Sequence, residues 1–215
     1  MTKRVVTEEL RLVRYADARR AKRIKDGDTL LFAPRIRWWM PADWLTLLIC
    51  WAAGNGHWYQ PWTWLNMARH CHAAKAVWWL GQLMCVQETS IEPHFLALSE
   101  LVRRWPGKID VYRPSFKSDE DRQRCVWMMV RIARRPYGWF NLIRVALHHL
   151  PIVWRLLPKD SDDWESSRWP PFCSMAVSMA DRYGDLDPCP HKSDRLTEPA
   201  DLAKSKRYRY IGTLI

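Results

Sequence analysis

The stretch Trp169-Pro170-Pro171-Phe172-Cys173-Ser174-Met175-Ala176-Val177 constrains this chain more than any other. Pro170 and Pro171 have no N–H to donate and a fixed φ, so a stiff loop must lead up to Cys173. The alanine- and methionine-rich residues behind them favour a helix, which puts the cysteine at a helix start. There the backbone amides and the positive end of the helix dipole favour a thiolate. A thiolate used in chemistry needs a base. The best match lies far upstream, in Arg69-His70-Cys71-His72-Ala73-Ala74-Lys75-Ala76-Val77-Trp78, where a histidine opens a strand-like run of small and apolar residues. Together they point to a cysteine hydrolase.

A length of 215 residues suits one domain, residues 1–215, with a sizeable core. The six cysteines (Cys50, Cys71, Cys85, Cys125, Cys173, Cys189) show neither paired zinc-site spacing nor the density of a small secreted framework, so a reducing compartment is expected, with no metal and no cofactor. Charge recurs along the amino-terminal region without the apolar core of an export signal. The longest apolar stretch, 44–53, is too short for a spanning helix, which needs roughly 20 apolar residues. Neither a signal peptide nor a transmembrane helix is therefore expected, which points to the cytoplasm, or to a virion if the chain is phage-encoded. The net charge of +11 would draw the protein to anions, among them nucleic acid, anionic lipid and wall polymers, and does not choose between them. No specific nucleic-acid partner is expected.

Hydrophobic periodicity predicts α+β. An arginine-rich amphipathic helix is expected over about 5–25, a turn at Asp26-Gly27-Asp28, and a strand at residues 29–32. A proline-led helix should cover 41–53, within a tryptophan-rich segment over about 34–68. Strands at 73–79 and 83–88 form a hairpin through Leu80-Gly81-Gln82. Helices are expected over 92–104, 119–135, 139–157 (broken at Pro151) and 175–183, with further strands at 109–113 and 208–214.

These residues carry a resemblance. Gly27-Asp28-Thr29-Leu30-Leu31-Phe32, His72-Ala73-Ala74 opening a strand, and Glu88 closing the next are similar to the Gly-Asp turn, histidine and polar third member of NlpC-type papain-like hydrolases. Phe172-Cys173-Ser174 comes last rather than first, which resembles the circularly permuted YiiX-like group. Trp105-Pro106-Gly107-Lys108-Ile109-Asp110-Val111-Tyr112-Arg113-Pro114, Pro136-Tyr137-Gly138-Trp139 and Leu196-Thr197-Glu198-Pro199-Ala200-Asp201-Leu202 agree with it. The resemblance spans roughly Gly27 to Leu214. It implies a permuted papain-like fold with a small antiparallel sheet, a Cys173 nucleophile, His72 as base and later acid, and Glu88 holding the imidazole. The Cys173 amide would serve the oxyanion and Tyr137 would add a hydroxyl. Gln87 is the alternative to Glu88, because neighbours on a strand face opposite ways.

Amide bonds of bacterial wall peptides are the expected substrate, by analogy with phage-encoded wall hydrolases. A lipid-directed thiol acyltransferase or lipase is a second reading, since Trp139-Phe140-Asn141-Leu142-Ile143-Arg144-Val145-Ala146-Leu147, together with Trp154-Arg155-Leu156-Leu157 and the tryptophan-rich segment, could seat on an anionic membrane. A non-catalytic component of a virion assembly, with virion partners, is a third. Duller roles compete at several positions. Asp28 reads as a turn former, Arg134-Arg135 as a solvated helix end, and Cys189-Pro190-His191 as a chance thiol–base pairing. His70 and His72 with Cys71 or His94 would make only a poor metal site.

Overall fold

Residues 24–35, 69–89, 94–148 and 170–215 are described by the computed structural model. Runs rich in apolar residues, β1 buried at every position, build six strands: β1 (Thr29–Ala33), β2 (His72–Trp79), β3 (Gln82–Gln87), β4 (Phe95–Ala97), β5 (Lys108–Pro114) and β6 (Tyr208–Leu214). They form one sheet in the order β4-β3-β2-β1-β5-β6, antiparallel at every neighbouring pair. The helices are α1 (Leu98–Arg104), α2 (Asp119–Ile132), α3 (Trp139–His148), α4 (Cys173–Tyr183) and α5 (Pro199–Lys204). The expected α+β architecture is thus observed. The expected helices at 5–25 and 41–53, the tryptophan-rich segment and the stretch beyond Pro151 lie outside the described residues, apart from the ends of those ranges.

Both faces of the sheet are covered. Leu31, Ala73, Val77 and Val86 pack under α2 and α4, while Leu30, Phe32, Ala74, Ala76 and Cys85 pack with Leu98, Leu101 and Val102 of α1. The expected hairpin forms between β2 and β3, its tip turning through Leu80 at φ 49° and Gly81 at φ 78°. Helix α4 is buried at every residue from Cys173 to Asp181. Its hydroxyls find partners inside, as buried polar groups must. Ser174 donates to the Thr197 carbonyl at 2.8 Å and Ser178 to Asp194 at 2.6 Å.

Two boundaries depart from expectation. The helix predicted from residue 92 begins at Leu98, because Phe95, Leu96 and Ala97 pair with Val86, Cys85 and Met84 and complete an edge strand. A ladder partner distant in sequence overrides local helix preference. Helix α2 ends at Ile132 rather than Arg135; Ala133 caps it and Pro136 follows, which disfavours helix at the residue before it. Asp28 is buried and gripped by Arg113 through Nε at 2.9 Å and Nη2 at 2.8 Å. This two-pronged, charge-assisted contact ties the β1 turn to β5.

Candidate active site

Helix α4 starts at the cysteine behind the prolines, two residues before the expected 175. Cys173 is its first residue, and Phe172 caps it in an extended conformation with no side-chain hydrogen bond to the first-turn amides. The sulfur lies against the start of β2, where the amides of Ala73 and Ser174 and the imidazole of His72 favour its negative form. Burial alone would raise the pKa of this 5 %-exposed thiol. The His72 charge and hydrogen bond and the two amides outweigh burial and bring it below the usual thiol value.

His72 is the first residue of β2, so its ring lies at the rim of the sheet. On the α1 side it meets the Phe32 ring edge-on, with centroids 5.0 Å apart. Nε2 donates to Gln87 Oε1 at 3.0 Å, which leaves Nδ1 toward the sulfur. Gln87 stands opposite Ala74 in the β2–β3 ladder and therefore shares the face of His72. Glu88, one residue on, falls on the thiol side. It is fully buried, neither carboxylate oxygen has a hydrogen-bond partner among the described residues, and His94 Nδ1 stands 3.8 Å away. Burial first, then the neighbouring thiol, push its pKa up to about 8, against the pull of His72 and Arg135.

Tyr137 completes the cluster. Its hydroxyl hydrogen-bonds the Cys173 side chain and accepts from the Cys173 amide; burial and the adjacent sulfur hold the phenol far above its ordinary pKa. A close backbone approach puts it there, at a residue with no Cβ to obstruct it. Gly138 N–H donates to the Pro171 carbonyl at 2.9 Å, and a Cβ at Gly138 would sit 2.0 Å from the Pro170 carbonyl oxygen. Asn141 of α3 donates to that same Pro170 carbonyl at 2.8 Å. The Tyr137 loop and the cysteine loop are therefore latched together.

Cys173, His72, Glu88, Gln87 and Tyr137, separated by up to 101 positions, thus converge on one point. The other candidates do not join them. His70 is buried against Asp110, Nε2 to Oδ2 at 2.9 Å, with Arg69 on the same carboxylate at 2.9 Å. His70 and His72 therefore serve different partners. No group of three or more His, Cys, Asp and Glu side chains among the described residues is placed to hold a metal ion. Cys189 is pushed up to about 12 by burial and by Asp201, which makes it a poor nucleophile. Missed in the sequence was the ion pair of Lys75 with Asp181 inside the core, at 2.5 Å. A lysine in a run of alanine and valine was its only signal.

No helix among the described residues is long and apolar enough to cross a membrane. No protein-family model and no curated protein matches the chain. Among solved structures the fold resembles the metalloprotein YiiX from Escherichia coli O157:H7, at a TM-score of 0.52 and 10% identity, over 86% of this chain and 95% of that one.

Proposed function

We propose that the chain is a thiol-dependent hydrolase of amide bonds, with peptides of bacterial cell wall as substrate. The observation that carries this reading is the Cys173–His72 contact at a helix start with no capping side chain, with the thiol pKa held down. The chain order, with Cys173 following the His72 strand, and the YiiX-like fold support it.

In this reading the Cys173 thiolate attacks the scissile carbonyl carbon. The carbonyl oxygen becomes an oxyanion and displaces Tyr137 as acceptor of the Cys173 amide hydrogen, while the Tyr137 hydroxyl donates to it. Protonated His72 gives its proton to the leaving nitrogen, and the acyl group stays on sulfur. Water, deprotonated by His72, then releases the acid and restores the thiol. Gln87 holds the ring through Nε2, a role that needs an acceptor but no charge. Glu88, protonated near neutral pH, adds no negative charge next to the thiolate.

The test is incubation with purified peptidoglycan fragments and, separately, with phospholipid, followed by mass spectrometry of the products. Cleavage of a peptide amide by the wild type, absent for Cys173→Ala, is expected. Release of fatty acid with the peptides intact would replace wall peptide by lipid ester. Turnover by Cys173→Ala equal to the wild type would overturn the assignment.

A further inference from the structure

Helix α3 is apolar on its outward side as well as its inward one. Ordinary surface helices turn apolar residues inward and polar ones outward. Here Val145 at 7 % and Leu142 face the core, together with Asn141, which is 3 % exposed and bonded to Pro170. Outward point Trp139 at 49 %, Phe140 at 68 % and Ile143 at 53 %. With 3.6 residues to a turn, positions 139, 140, 143 and 147 share an arc little wider than a quarter of the helix circumference. All four are apolar: Trp, Phe, Ile and Leu. Scattered exposed hydrophobics are unremarkable; a contiguous aromatic and aliphatic face is an interaction surface.

What the face meets follows from its surroundings. Arg134 and Arg135 are exposed just before the helix, and the whole chain carries +11. A helix with tryptophan and phenylalanine outward and arginines at its edge fits the boundary between headgroups and acyl chains of an anionic bilayer. We infer that α3 docks the protein on an anionic membrane through Trp139, Phe140 and Ile143. The latch from Gly138 and Asn141 to Pro170 and Pro171 then holds the Cys173 loop next to the bilayer surface, so a substrate reaching the thiol would come from the interface.

This docking does not depend on the hydrolase reading, and one experiment separates the two. The full chain is sedimented with vesicles of phosphatidylcholine alone and of phosphatidylcholine with phosphatidylglycerol. The wild type should sediment with the anionic vesicles, and Phe140→Glu with Ile143→Glu should weaken this by about tenfold. Cys173→Ala should bind as the wild type does. So should Leu80→Glu, which places the same charge on an exposed apolar residue at the distant hairpin tip. Circular dichroism checks the fold, and Phe140→Ser with Ile143→Ser replaces the glutamate pair if that pair does not fold. The inference is overturned if the wild type ignores anionic vesicles, if the α3 variants bind undiminished, or if Leu80→Glu weakens binding as much. It is equally overturned if light scattering finds a wild-type dimer that Ile143→Glu breaks, since a second copy would then cover the face.

Discussion

Strand β2 and helix α4 touch through two buried polar clusters that are built on opposite principles. In the inner one, all three Lys75 ammonium protons are used, the full donor capacity of a lysine. They go to Asp181 at 2.5 Å, Thr29 at 2.8 Å and the Gly27 carbonyl at 3.1 Å. Tyr208 and Cys125 complete the Asp181 carboxylate. In the outer cluster, three residues back on β2 and eight back on α4, Glu88 is just as buried, yet neither of its oxygens has a hydrogen-bond partner among the described residues. Three strand residues span about 10 Å and eight helical residues about 12 Å, so the two contacts keep step and fix how the helix lies on the strand. The satisfied cluster holds the register. The unsatisfied one is where a structure departs from its own packing rules, and such departures concentrate at functional sites.

The sharpest way to break this contrast is to remove chemistry from the outer cluster. Cys173→Ser and His72→Ala should each lower peptide hydrolysis by roughly 10³-fold or more with the fold intact, and the double variant should lose little further, as members of one catalytic unit do. Clear additivity would show that the two do not act together.

Breaking the inner cluster should do the reverse. Lys75→Met leaves an uncompensated buried carboxylate and should cost about 3–5 kcal/mol in denaturant unfolding, whereas Lys75→Met with Asp181→Leu should recover most of the loss. If Lys75→Met is as stable as the wild type, the pair does not set the register.

A third experiment reads Glu88 through pH. Its pKa is about 8 in the folded protein against 4.5 as its ordinary value, so between these the folded state keeps a proton that the unfolded state has released. Stability should therefore fall as pH rises from about 4.5 through 8, by at most about 5 kcal/mol from this group. Glu88→Gln should flatten that slope, and an unchanged slope would mean that the carboxyl is not held neutral. The smallest effect is expected from Gln87→Ala, about tenfold in turnover, because only the orientation of His72 is lost. It should leave Cys173 the most readily alkylated of the described thiols near neutral pH, and alkylation of Cys189 first would contradict the electrostatics.

Much of the site was legible as a set of separate fragments. The Pro-Pro-Phe-Cys stretch located the helix start to within two residues, since proline geometry is local and independent of context. The His72 strand and its hairpin partner followed from alternation and a turn signal. Which of Gln87 and Glu88 meets the imidazole was not legible, because alternation assigns opposite faces without saying which face is which. Strand β4 was missed because three residues have no periodicity of their own. The Lys75–Asp181 pair was missed because residues 106 positions apart have no local reason to be partners.

By itself, then, the sequence determined where elements begin and end at prolines and glycines, the α+β class, and the residue types able to do thiol chemistry, for these depend on backbone sterics and short-range periodicity. Only the tertiary structure decided that Gln87 holds His72, that Glu88 is buried with no hydrogen bond from the described residues, that Tyr137 reaches Cys173 and that α3 turns its aromatic face outward. Each of these depends on which surfaces come to lie together and are removed from water, a quantity set by the whole packed chain rather than by any window of it.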